Sequence, residues 1–332
     1  MNNYIFSRRN FFNYAKLFFL FFLASCTRES KKIIIGFQKS FIPEYFKSLI
    51  PNLWVKENIN LNDIYKSNNI QKYKEIDYLL VNDGWINNIN FDDFKDFDKE
   101  LFLKLNKKAK NYLSLFDINI RNKIYPIGVI PYVVVIKKNY ATKNISNKSW
   151  DFLLSKDLKG KIILPNSPRI IMSLAERIDN QGVLNKLINQ DNIYDDKNAL
   201  DWLLNSKAVI AVVPFNLCQK YLKIDSRLSF IFPRTGVPLI WQFVLNKKYS
   251  ENDSLIKWIN SLENYNASRK LEKEGWILPF KDIYNVDFNN ENLKNQNILI
   301  LDQCWQNSWS FPPLNEEEKT KIEIIWKDSL TP

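Results

Sequence analysis

Short aliphatic runs alternate with amphipathic stretches along most of the chain. "KKIIIGF" (31–37) and "IDYLLV" (76–81) have the length and branching of buried strands. "FIPEYFKSLI" (41–50) has helical spacing, with Pro43 suited to a first turn. "SWDFLLSKDLKGKIILP" (149–165) predicts a short helix, a turn at Gly160 and a strand, and "SPRIIMSLAERI" (167–178) a helix directly after it. "ALDWLLNSKAVIAVVPF" (199–215) predicts helix, turn and strand. Residues 253–280 predict two helices and a turn at Gly275-Trp276, and 315–328 a last helix. Such alternation predicts an α/β fold with helix-covered sheets.

Two β-rich runs are too long for an ordinary strand: "KIYPIGVIPYVVVIKK" (123–138), broken by two prolines, and "LSFIFPRTGVPLIWQFVLNKK" (228–248). Each predicts an extended passage between two bodies. The chain then forms a discontinuous lobe 1 (33–130 and 243–332) and a lobe 2 (131–242), with a cleft between them. "NDGW" (82–85) falls at the C-terminal end of a predicted strand, where open α/β sheets bind ligands.

The start of the chain has a different pattern. Arg8, Arg9 and Lys16 precede an apolar run from Leu17 to Ser25 that is too short to span a ~30 Å hydrocarbon core. This is the layout of a signal peptide over residues 1–25. Leu23-Ala24-Ser25-Cys26 resembles a bacterial lipobox, so the mature chain is expected to begin at an acylated Cys26, with 26–32 as linker, and to work outside the cytoplasm, tethered to a membrane. Ser7 to Phe12 also resembles a twin-arginine export motif; ordinary secretion stays open beside it.

Composition narrows the chemistry. A mature chain of roughly 300 residues with 45% hydrophobic content can build two cores. The net charge of +11 is spread along the chain, and no basic block is interleaved with aromatics, so nucleic acid is not an expected partner. Cys218 and Cys304 are read as two buried thiols rather than a disulfide. The chain has no histidine, which removes Ser-His-Asp and Cys-His nucleophiles and histidine zinc ligands. With no carboxylate pair standing out and no Gly-rich phosphate loop, the expectation is a protein that is not an enzyme and carries no cofactor or metal.

In their order and spacing, "SFIPEYFKSL", "IDYLLVNDGW", "IPYVVVIKKN", "SWDFLLSKDLKGKIILPNSPRIIMSLAERI", "KWINSLEN" with "EGWILPF", and "WQNSW" resemble the solute-binding proteins of ABC importers, of the spermidine/putrescine-binding type. The resemblance runs from about Ile33 to Asp328. It implies a two-lobe periplasmic-binding-protein fold (type II-like), a solute taken into the cleft by hinge closure, and a membrane permease as partner.

A polyamine site needs carboxylates for the ammonium groups and rings for the methylenes. Where the resemblance expects acids, this chain has Ser40, Ser167, Ile170 and Gln242. Phe41, Trp85, Trp241 and Trp276 fall on or beside its ring positions; Gln38 and Phe215 stand where tryptophans are expected, and Gln306 matches a polar contact. Asp83 is the acid still expected in the cleft, and Arg169, at a helix start, offers positive potential for an anion. The solute is left open between a polyamine or other organic cation, a neutral or anionic organic solute, and ferric iron, for which Tyr125, Tyr132 and Tyr221 are the tyrosines to examine. A structural lipoprotein that keeps the fold without transport stands as the alternative function.

Overall fold

Strands β4 (Tyr125–Lys137) and β9 (Leu239–Asn246) set the architecture. Every residue of β4 but the last is buried, because both faces and both edges of the strand are used. Its first half pairs antiparallel with β9, from Tyr125↔Val244 to Pro131↔Leu239. Its second half pairs instead with β7 (Ile210–Pro214) and β8 (Leu228–Ile231). The change of partner falls where the two prolines direct it. A proline cannot donate to a ladder, so it sits at bulges and ladder ends. Pro126 lies at the register shift before Gly128, and Pro131 is the last residue paired with β9.

On one side of this junction the sheet continues through β3 (Tyr78–Asn82), β1 (Ile34–Phe37) and β2 (Val55–Asn58); on the other, through β7, β5 (Ile162–Leu164) and β6 (Ile193–Tyr194). β1 is parallel to β2 and β3, and β5 is parallel to β6 and β7. β3, β5 and β7 are buried throughout, as parallel strands covered by helices must be.

The helices, in chain order, are α1 (Glu44–Leu49), α2 (Lys99–Leu103), α3 (Lys107–Leu113), α4 (Ile118–Arg121), α5 (Pro168–Glu176), α6 (Val183–Ile188), α7 (Ala199–Asn205), α8 (Phe215–Ile224), α9 (Asn252–Leu262), α10 (Tyr265–Glu272) and α11 (Glu316–Leu330). α5 begins on Pro168, whose missing N–H is one of the helix-start donors without a partner anyway. α9 is tied to α1 by the Trp258 indole N–H, which donates to Leu49 O at 2.9 Å. α7 and α8 cover β7, and α11 packs on α5 and α6, with Trp326 edge-on to Tyr194 at 5.8 Å.

The structure, a computed structural model, describes residues 32–39, 42–60, 74–140, 149–178, 182–190, 192–250, 252–281 and 304–330. The signal-peptide and lipobox reading, with Cys26, lies outside the described residues, as do Ser40, Phe41 and the side chain of Trp85. From Ile34 onward the chain packs as one compact unit. Among the described residues no helix is long and apolar enough to cross a membrane. Cys218 and Cys304 are both buried and free.

Candidate functional site

The C-terminal ends of β1, β3, β5, β6 and β7 carry the polar groups that the fold leaves beside the β4/β9 junction. Asp83 directly follows β3, in a 3₁₀ turn over Asp83–Asn88. The residue keeps some surface, but its carboxyl is packed among protein atoms. The Tyr112 hydroxyl donates to its Oδ2 at 3.2 Å, and the backbone amides of Trp241 and Gly84 also donate to it. Burial outweighs these donors and pushes Asp83 up to about 7; the Arg169 guanidinium pulls the other way.

Arg169 reaches the junction from the second residue of α5. It donates to the Pro312 carbonyl and lies 5.0 Å from the Phe311 ring centre. The single Tyr112 hydroxyl proton is shared between Asp83 Oδ2 and Phe311 O, the latter 2.7 Å away, and the Trp241 indole N–H donates to Ser310 Oγ at 2.7 Å. One short strap, 310–312, therefore touches Tyr112 and Trp241 from one half of the sheet and Arg169 from the other. Two more cations hold the strap's approach: Lys108 lies 5.1 Å from the Trp305 ring centre, and Arg177 4.7 Å from that of Trp309. Lys108 also donates to Ser308 O at 2.7 Å, and its burial lowers it to about 8.

On the far side, Asn166 N donates to Asp196 Oδ2 at 3.1 Å, joining the turns after β5 and β6. Tyr132, on β4, is pushed well up by burial and then by the charges of Asp196 and Asp83.

The rings named from the sequence are placed differently from these groups. Trp241 is fully buried, stacked on Tyr112 at 4.8 Å. Trp276 is fully buried, 4.8 Å from Phe46, with its N–H donating to Ile127 O at 3.2 Å. Phe215 packs 5.0 Å from both Phe230 and Phe232. All three are enclosed by the protein's own side chains. Ile170 is likewise a buried residue of α5. Gln242 is 2% exposed, and its Nε2 has no hydrogen-bond partner among the described residues. Ser167 precedes α5 without a side-chain cap bond, Gln38 is half-buried past β1, and Gln306 is exposed. Tyr125 and Tyr221 do not join Tyr132: the first donates to Leu101 O at 3.2 Å in the core, the second to Asp201 at 3.3 Å on the surface.

Tyr112, Asp196, Ser310 and Phe311 carry much of this site and no motif marked them, whereas Tyr132 was among the tyrosines named from the sequence. Tyr112 sits in a mixed stretch, 109–116, with Lys110, Asn111 and Ser114 among apolar residues, that reads as ordinary amphipathic helix. Tyr112→Phe removes the hydroxyl that bridges Asp83 and Phe311. It should destabilise the chain by about 1–2 kcal/mol, seen as a lower urea midpoint at unchanged slope.

A separate cavity of about 370 Å³ is lined by Ile42, Pro43, Glu44, Asn216, Gln219, Lys220, Lys223, Ile224 and Glu274. One wall follows β1 and α10, and the other is α8. They meet at Gly275, at φ +79°, where a Cβ would stand 2.5 Å from Asn216 N.

No protein-family model and no curated protein matches the sequence. Solved structures do match the fold. A spermidine/putrescine ABC transporter substrate-binding protein, PotD, from Streptococcus pneumoniae superposes with TM-score 0.68 at 14% identity over 90% of this chain and 98% of its own. Maltose-bound MalE3 of T. maritima gives 0.63 at 13% over 90% and 93%. The substrate-binding protein of an ABC transporter from Agrobacterium tumefaciens gives 0.60 at 11% over 91% and 95%. The chain thus has the mixed α/β fold of periplasmic solute-binding proteins.

Proposed function

We propose that the chain is the solute-binding component of an ABC importer. It is exported, tethered through an acylated Cys26, captures a small organic solute between two lobes and hands it unchanged to a membrane permease. The carrying observation is the convergence of strand ends from both halves of the sheet on the β4/β9 junction, with Asp83 and Tyr112 on one side and Arg169 on the other. The lobes divide near residues 130 and 243, with α11 riding on the second through α5 and α6. Closure about β4, β9 and the 310–312 strap is the functional motion.

The resemblance to polyamine binders favours an organic cation, with Asp83 and Asp196 as its acids. A solute without several positive charges is favoured by a specific observation: Asp83 is already satisfied by three protein donors and shares the junction with Arg169. Thermal unfolding of the full chain against spermidine, putrescine, sugars, dicarboxylates and amino acids tests the reading. A bound solute at 100 times its Kd should add about 2.7 kcal/mol. If no solute of any class raises the midpoint, the solute-binding reading falls.

A further inference from the structure

The cavity beside Gly275 has opposite charges on opposite walls. Glu44 and Glu274 stand on the wall formed by α1 and the turn after α10, and Lys220 and Lys223 on α8. Glu274 is held in place, since its Oε2 accepts the Tyr45 N–H at 3.1 Å. Glu44, at the rim, pairs among the described residues with Lys47 of its own helix. Among the described residues no ion pair joins the glutamates to Lys220 or Lys223. The amides of Asn216 and Gln219 and the apolar surface of Ile42, Pro43 and Ile224 complete the lining.

We infer that this cavity takes a small zwitterion, an amino acid or short peptide, with its carboxylate toward Lys220 and Lys223 and its ammonium toward Glu44 and Glu274. The inference rests on the solute-binding reading, names the solute class, and seats the solute in this cavity, with Glu44 and Glu274 rather than Asp83 and Asp196 as its acids. Two positive and two negative side chains leave the lining neutral overall. A multiply charged cation would meet repulsion from the lysines, and a dianion would meet it from the glutamates. A ligand with one charge of each sign at its ends is opposed by neither wall. A volume of about 370 Å³ falls toward the lower end of small-molecule sites, about 300–1,000 Å³, which suits an amino acid to tripeptide. The walls come from opposite halves of the sheet, so a ligand bridging them favours closure energetically.

Calorimetric titration of the full chain in detergent, with alanine, alanylalanine, trialanine, spermidine, succinate and maltose, tests this. At least one zwitterion should bind. The exposed double variant Lys220→Gln/Lys223→Gln should weaken it about tenfold. Lys220→Arg/Lys223→Arg should restore binding. Glu274→Gln keeps an acceptor for the Tyr45 N–H and should also weaken the zwitterion severalfold. Equal zwitterion affinity in the charge-neutralised variants overturns the assignment. Binding of spermidine, succinate or maltose with none of the zwitterions overturns it too, and leaves the solute-binding reading standing. If no solute binds and none raises the unfolding midpoint, both fall.

Discussion

Gly128→Ala should cost about 3 kcal/mol of stability and, for a chain of this size, roughly 4–6 °C of thermal midpoint. The reason is steric. A Cβ built on Gly128 would lie 1.9 Å from Trp276 Cε2, 2.1 Å from Cζ2 and 2.2 Å from Nε1. The indole has no free direction in which to retreat. It is fully buried, its N–H is bonded to Ile127 O, and its ring is backed by Phe46. Gly128 also sits just past the register shift in β4, so movement of its backbone would disturb the ladder with β9. A double-mutant cycle identifies the mechanism. In a Trp276→Leu background the added methyl has room, and its cost should fall below about 1 kcal/mol. An equal cost in both backgrounds would show that the indole contact is not the cause.

That contact also shows what the sequence could and could not reveal. The run at 123–138 was legible as one long strand with more than one set of partners, because a strand of β4's length cannot be spent on one sheet edge. The run at 228–248, expected as a single extended passage, instead holds two strands, β8 and β9, parted by a turn that ends on Gly236. The proline at 131 marks where β4 changes partners. Helices α5, α9, α10 and α11 were legible from their periodicity and from Pro168. By contrast, β2, α2, α3, α4, α6 and α8 were not read. Most are four to seven residues long, too short for a periodic pattern to rise above its surroundings. The rings were legible as rings but not as core or site. Trp241 and Trp276 would look the same in sequence whether a solute or Tyr112 and Phe46 lay against them. What decides the second case is Gly128, 148 positions earlier than Trp276, which leaves the space that the indole fills. The strap at 310–312 was invisible for a related reason: two of its bonds run through the Phe311 and Pro312 carbonyls, which every residue type carries, and the third through a lone serine hydroxyl that no pattern marks.

Across the acidic range, the stability difference between the wild-type chain and Asp83→Asn should change by about 4 kcal/mol. An unfolded aspartate ionises near 3.8, while Asp83 in the fold does so at about 7. Between these values the folded chain keeps a proton that the unfolded chain has released. Its contribution is therefore fully present below pH ~4, is lost as pH rises toward 7, and stays lost above it. This slope is opposite to that of an aspartate held ionised by a partner. Asparagine keeps an acceptor for the Tyr112 hydroxyl but does not titrate, so subtracting its urea midpoints from the wild type's, pH by pH, isolates the group. Arg169→Gln supplies the direction of the electrostatic coupling. The guanidinium favours the ionised carboxylate, so its removal should move the upper end of the slope above about 7. Parallel pH profiles for wild type and Asp83→Asn would mean that the carboxyl is solvated like an ordinary surface acid, and that Tyr112, Trp241 and the strap do not enclose it as described.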